Sequence, residues 1–181
     1  MIRGELTNLR AIEHDDAALV HRWLNDPAGM RGWGWSAVAR SLNDVSREVD
    51  GWVALEASLG HPAALVGETL SREPVGLIVL HADRLEARAV ELSLLVGDPM
   101  NWGKGYGTDL LRSTVDACFG GWGVHRIGVR LDEANERALA LYQRIGFRLE
   151  GRLREAAFLD GQHADILLLG LLASEWWGNE A

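Results

Sequence analysis

The chain has 181 residues, 48% hydrophobic and 24% charged, with a formal net charge of -8. This size and mixture suit one domain, residues 1–181, that buries a core without metals or disulfides. The acidic balance argues against a general nucleic-acid binder, which presents a basic face, and favours a cationic substrate.

No apolar run approaches the roughly 20 residues of a membrane span. Met1-Ile2-Arg3-Gly4-Glu5 lacks the apolar region of a signal peptide, so a cytoplasmic protein with no membrane partner is expected. The one cysteine, Cys118, excludes an internal disulfide and reads as a buried thiol in an apolar stripe. The histidines at 14, 21, 61, 81, 125 and 163 show no metal-ligand spacing, so metal-free chemistry is expected.

In chain order, the pattern predicts a short strand from about Leu6 to Ile12. A helix follows, capped by Asp15 or Asp16, with Ala17, Val20 and Leu24 on one face, stopped by Asn25-Asp26-Pro27. After a glycine-rich segment with Trp33 and Trp35 comes a second helix from about Asn43 to Val49, ending at Asp50-Gly51, and then a strand from about Trp52 to Ala57. Residues 59–74, punctuated by Gly60, Pro62, Gly67 and Pro74, read as a long loop or hairpin extension with an apolar tip.

Val75 to His81 and Ala89 to Val96 are nearly continuous apolar runs, expected as two central strands buried on both faces and joined by a hairpin. Leu110, Leu111, Val115, Cys118 and Phe119 form a helical stripe. Val124 to Leu131 alternates as a strand, with Ile127, Val129 and Leu131 on one face. Ala138, Leu141, Tyr142 and Ile145, spaced i, i+3, i+4, i+7, mark a helix opening near Asn135 and stopped by Gly146. Two strands, Phe147 to Phe158 and Ala164 to Leu172, turn at Asp160-Gly161. The sum is an α/β (α+β) fold: a mixed, mostly antiparallel sheet of about seven strands flanked by about four helices.

The most informative stretch is Val96-Gly97-Asp98-Pro99-Met100-Asn101-Trp102-Gly103-Lys104-Gly105-Tyr106-Gly107-Thr108, which passes from an apolar strand through alternating glycines into a helix. Glycines let several backbone N–H groups converge on one anion, and the first turn of the following helix adds unpaired amides and the positive end of its dipole. Lys104 offers a further charge. The dinucleotide fingerprint needs a glycine where Thr108 stands, and the Walker A pattern needs Ser or Thr at Gly105, so neither applies.

Three pieces agree: this glycine turn between strand and helix, Asn135-x-x-Ala138-x-x-x-Tyr142 on the next helix, and Gly146-Phe147 opening the next strand. Together they resemble the GNAT superfamily of acetyl-CoA-dependent N-acetyltransferases. Leu9-Arg10-Ala11, Trp23-Leu24-Asn25-Asp26-Pro27, Glu150-Gly151-Arg152-Leu153-Arg154-Glu155 and Asp160-Gly161 resemble its ribosomal-protein N-terminal acetyltransferase (RimJ/RimL-like) branch, which also contains spermidine acetyltransferases. The superfamily loop is often Q/R-x-x-G-x-G/A, and here Trp102 stands at the Q/R position.

The resemblance implies an enzyme with acetyl-CoA as donor and no metal. Trp102, Gly103, Lys104, Gly105, Tyr106, Gly107 and Thr108 would cradle the cofactor diphosphate. Leu94, Leu95 and Val96 would pair with the pantetheine arm, and Asn135, Ala138 and Tyr142 would meet the cofactor from the far side. A backbone N–H near Leu95 would serve the oxyanion.

Tyr142 is the expected general acid, against the alternative of an aromatic that merely packs. Glu91, an acid inside an apolar strand, is the expected base, directly or through water; the alternative is a carboxylate held by neighbouring strands or loops. His81 is a lesser candidate. Trp33 and Trp35 either border the substrate or cap the core. The acceptor is a primary amine: a protein N-terminus, a polyamine or an aminoglycoside. A catalytically silent acyl-CoA-binding module is the alternative function, and Trp176-Trp177 with the apolar C-terminal strand suggest a homodimer.

Overall fold

The computed structural model describes residues 1–29, 39–84, 88–159 and 161–178, with the backbone alone at 82–84. It contains one eight-stranded sheet. In chain order the elements are β1 (Ile2–Arg3), β2 (Thr7–Ala11), α1 (Ala17–Leu24), α2 (Leu42–Leu59), β3 (Ala64–Thr69), β4 (Pro74–Arg84) and β5 (Ala89–Val96). Then come α3 (Tyr106–Gly120), β6 (Arg126–Asp132), α4 (Glu136–Ile145), β7 (Arg148–Leu159), β8 (Gln162–Leu172) and α5 (Ala173–Gly178). The strands lie in the order β1-β2-β3-β4-β5-β6-β8-β7. Only β5 and β6 run parallel; every other neighbouring pair is antiparallel.

The sheet separates two cores. Against one face pack α3 and α4, through Leu110, Leu111, Val115, Tyr142 and Ile145. Against the other pack α1 and α2, through Val20, Trp23, Val45, Val49 and Trp52. Alternation along the strands feeds both: Leu65 and Ile78 face α3, whereas Val66, Leu77 and Val79 face α1 and α2.

Residues 42–59 form one helix rather than the expected short helix and strand. Val45, Val49 and Trp52 are buried at i, i+4, i+7, so the apolar stripe continues through Gly51. Gly51 sits on the open side of the helix, where an added methyl would meet nothing within 4 Å. An exposed glycine costs a helix only about 1 kcal/mol, and the buried stripe outweighs it. The true stop is Gly60 at φ +72, and the start is Ser41, whose hydroxyl accepts from the Asp44 amide.

Of the two forms expected for residues 59–74, the long loop is excluded and the hairpin holds, with β4 as its second strand. The segment contains β3, buried along its length and paired between β2 and β4. Gly67, which reads as punctuation, is a packing position. It lies directly opposite Gly76 of β4, and a methyl at Gly67 would fall 2.4 Å from the Leu110 side chain of α3. The two glycines form a seat for Leu110.

Other expectations are refined. β4 is buried on both faces from Val75 to Leu80, but β5 alternates, with Glu91 and Ser93 only half-buried. Asp16 makes no side-chain cap on α1; its carboxylate instead accepts from the two terminal guanidinium nitrogens of Arg10, each at 2.7 Å, and from the Glu13 amide at 2.8 Å. Burial alone raises the Asp16 carboxyl, but the Arg10 and Glu13 hydrogen bonds outweigh it and hold it below the ordinary carboxylate value. Arg10 also grips Glu68 of β3 at 2.7 Å, which ties the α1 entrance to the sheet.

The C-terminal strand β8 lies inside the sheet between β6 and β7, and Trp176 is buried, its indole donating to Asp116 at 2.8 Å. Its neighbour Trp177 is 47% exposed. Cys118 is buried as expected, and desolvation pushes its thiol up to about 12.

Leu110→Ala should lower folding stability by about 2–5 kcal/mol and Gly67→Ala by about 1–3 kcal/mol. The double variant should lose clearly less than the sum, because the new methyl enters the vacated volume. Denaturant unfolding of the three variants checks this.

Candidate active site

The site arises where the sheet comes apart. β5 and β6 pair only from Ala89↔Arg126 to Glu91↔Gly128. Beyond that, β5 stays with β4 as far as Gly76↔Val96, and β6 stays with β8 as far as Asp132↔Ile166. The C-terminal halves of the two parallel strands therefore form a fork. A cleft of about 1110 Å³ opens there, lined by Leu94, Leu95 and Val96 on one arm and by Asp132, Ala134 and Asn135 on the other.

Peptide direction decides which groups of β5 the fork can use. In an antiparallel strand a residue turns both its N–H and its C=O to the same neighbour, and the next residue turns away. The Leu95 carbonyl lies against Gly76, since a methyl there would come within 2.7 Å of it, so Leu95 spends its peptide groups on β4. The Val96 carbonyl instead accepts from the Trp102 indole at 2.9 Å. The peptide groups of Leu94 and Val96, one residue to either side of Leu95, thus face the fork.

The glycine turn closes the mouth. Gly103 and Gly105 have φ of +76 and +88, the left-handed region where a side chain is strained. Gly105 is also the residue from which α3 begins. The amides of residues 103–108 find no acceptor among the described residues; the next one, Asp109, bonds the Gly105 carbonyl. This row of unpaired donors at a helix N-terminus is a ready anion site. Gly107 is tight for another reason: a methyl would lie 3.3 Å from Val96.

The turn is braced from beneath. The Asp109 carboxylate accepts the amides of Glu5 and Thr7 at 2.9 and 2.8 Å and the Thr7 hydroxyl at 2.6 Å. A carboxylate in the first turn of an anion-binding helix would repel the ligand; here it is buried and occupied by donors from the N-terminal hairpin.

The predicted catalytic pair lies on opposite faces of the sheet. Tyr142 belongs to the α3–α4 core, 5% exposed, edge-on to Phe147 with ring centroids 5.3 Å apart. Desolvation raises its phenol well above the ordinary tyrosine value. Its hydroxyl has no hydrogen-bond partner among the described residues. Glu91 is half-buried, and β5 alternation turns it with Ser93 and Leu95 toward the α1–α2 side. Its carboxylate too has no partner among the described residues. It stands at the vertex of the fork, opposite Gly128 on β6 and His81 on β4. His81 is exposed.

Other predicted residues divide. Asn135 and Ala138 line the cleft, and the Asn135 side chain caps α4 by accepting the Ala138 amide at 3.1 Å. Tyr106 and Thr108 line it as well. Lys104 does not; it is exposed, its ammonium 3.5 Å from Asn101. Trp33 and Trp35 lie outside the described residues.

Sequence reasoning missed Pro27, Ala28 and Gly29 beside the fork, Arg137, Leu141 and Arg144 on α4, and Leu159. The i, i+4, i+7 spacing of Arg137, Leu141 and Arg144 was a readable signal that they share a face. Nothing local told which face meets the cleft. Gly97 was missed for the same reason: it receives the Trp23 ring of α1, which a methyl would overlap at 2.2 Å.

A sheet forked between parallel strands, with unpaired amides at the mouth of the cleft, suits a ligand that carries phosphate at one end and lays an extended arm along β5. The chain belongs to the acetyltransferase (GNAT) domain family, whose model matches residues 7–148. It is accordingly an acyltransferase with acetyl-CoA as donor, and the fork, the glycine turn and the open amides fit that donor.

The chain is 25% identical over 175 residues to the spermidine N(1)-acetyltransferase of Vibrio cholerae, covering 97% of each. It is 27% identical over 180 residues to a putative ribosomal N-acetyltransferase of Bacillus subtilis, covering 98% of this chain and 97% of the other. To an aminoglycoside N(6')-acetyltransferase type 1 of Klebsiella pneumoniae it is 25% identical over 158 residues, 82% of this chain and 77% of that one. The fold matches the crystal structure of the Vibrio cholerae spermidine N-acetyltransferase in complex with CoA and spermine, with TM-score 0.84 and 24% identity over 95% of this chain and 98% of that one. No described helix is long and apolar enough to cross a membrane.

Gly103→Ala should lose about 1–2 kcal/mol of stability from backbone strain alone, since a methyl there meets nothing within 4 Å. Gly103→Asn should recover part of that loss, because asparagine tolerates the left-handed region. Thermal unfolding of both variants tests whether φ, and not space, demands the glycine.

Proposed function

We propose that this enzyme acetylates a primary amine of a small polycationic molecule, a polyamine or an aminosugar, by direct transfer. The observation that carries the reading is the fork itself: it joins two faces of the sheet, with the partnerless hydroxyl of Tyr142 on one and the partnerless carboxylate of Glu91 on the other. The net charge of -8 supports a cationic acceptor, as do the spermidine and aminoglycoside acetyltransferases among its relatives.

Acetyl-CoA supplies the acyl group as a thioester. The unpaired amides of residues 103–108 hold its phosphates, and the fork-facing peptide groups of Leu94 and Val96 align its arm like an added strand. The acceptor enters on the α1–α2 side, past Pro27 to Gly29. Glu91 takes the proton that turns an ammonium into a nucleophilic amine, directly or through water. A fork-facing N–H of β5 donates to the carbonyl oxygen as charge develops on it. Tyr142 gives its phenolic proton to the departing sulfur as the C–S bond breaks and takes back the remaining proton from the acylated nitrogen, which leaves a neutral amide, free thiol and a restored phenol.

Burial raises the phenol, so Tyr142 keeps that proton through and above neutral pH. Turnover should therefore rise with pH as the acceptor amine loses its proton, with no fall from Tyr142 ionisation near pH 10, the ordinary tyrosine value.

Thiol release should be measured from pH 6 to 10 with spermidine, an aminoglycoside and N-terminal peptides as acceptors. Tyr142→Phe should lower kcat about 10²-fold or more with CoA affinity unchanged; unchanged turnover removes Tyr142 from the chemistry. Release with peptides alone would replace the small polycation by a protein N-terminus.

A further inference from the structure

Trp102 departs from the loop pattern at the position that carries Gln or Arg, and two contacts show what the indole does there. Its N–H donates to the Val96 carbonyl at 2.9 Å, which anchors the ring to the last residue of β5. The Arg137 guanidinium lies over its face, 4.7 Å from the ring centroid. Arg137 is on α4, which follows β6, so the stack spans the fork from one arm to the other beyond the last backbone pair at Glu91↔Gly128.

Arg10, Arg40, Arg126, Arg148 and Arg152 each hold a carboxylate. Arg137 and Arg144 both line the cleft with no carboxylate partner among the described residues, and of the two it is Arg137 that lies over a ring. A guanidinium held over an aromatic ring keeps N–H donors for an anion and gives up little freedom when it binds one. Lys104, the cation within the glycine turn, is directed to Asn101 and stands outside the cleft lining.

We propose that Trp102 and Arg137 act as one unit: the indole fixes the guanidinium at the mouth of the fork, where it binds a phosphate of the acyl donor and replaces the polar side chain missing from position 102. The inference rests on the acetyl-CoA reading. It makes Arg137 a phosphate-binding residue and Trp102 its positioning residue.

Calorimetric binding of CoA, and of pantetheine as a phosphate-free probe, separates this from a packing role. Wild-type protein must bind CoA; failure there sinks the donor reading itself, not the pairing. Given that binding, Arg137→Ala should weaken CoA about 10- to 100-fold, the usual range for a hydrogen bond to a charged group, and leave pantetheine unchanged. Trp102→Ala should weaken CoA to a similar extent, and the double variant no more than either single one. Placing the loop pattern's own residue back, Trp102→Arg in the Arg137→Ala background, should restore CoA affinity. Trp102→Phe keeps the ring and loses only the N–H anchor, so it serves if the alanine variant does not fold, with an intermediate loss expected. Equal loss for pantetheine and CoA, additive losses, or unchanged CoA binding in Arg137→Ala would each overturn the proposal.

Discussion

Everything at this site depends on one failure of hydrogen bonding: β5 and β6 stop pairing after Glu91 and Gly128. A parallel pair in mid-sheet normally satisfies its backbone along its whole length. Here each arm stays bound to its outer neighbour, β5 to β4 and β6 to β8, so the sheet is not lost when the centre opens. The strands supply a slot with backbone donors and acceptors on its walls, and the ends of both arms lead into helices, α3 and α4, that carry the rest of the site.

Keeping such a fork open and of fixed width takes packing from both faces. On one, Leu110 sits in the seat of Gly67 and Gly76, which draws α3 close to β3 and β4. On the other, Trp23 covers Gly97 just past the end of β5. Asp109 ties the first turn of α3 to the N-terminal hairpin. Glycines recur at these contacts for two separate reasons, close approach at 67, 76 and 97 and positive φ at 103 and 105. The sheet's separation of the two cores also keeps Tyr142 and Glu91 on opposite faces, both behind the residues that line the cleft.

Much of this was legible in the chain. The glycine turn, the helix from Asn135 to Gly146 and the alternation of β6 stood where the periodicity put them, because each is fixed by local backbone preference. In the chain alone residues 52–57 read as a strand and 59–74 as either loop or hairpin, because Gly51 and Gly67 look alike in sequence and do unlike things. One is an exposed helix position; the other is the floor of a helix–sheet contact whose partner, Leu110, is far along the chain. Arg137 was passed over for the same reason, since its significance is a ring at position 102.

The sequence by itself determined the elements with strong periods, the anion-ready turn and the family, since these follow from neighbouring residues and short spacings. The tertiary structure alone decided which strands part, which peptide groups of β5 face the opening, and which arginine stands at its mouth. Those are relations between segments distant in the chain, set by sheet register and by packing on both faces, and no local preference encodes them.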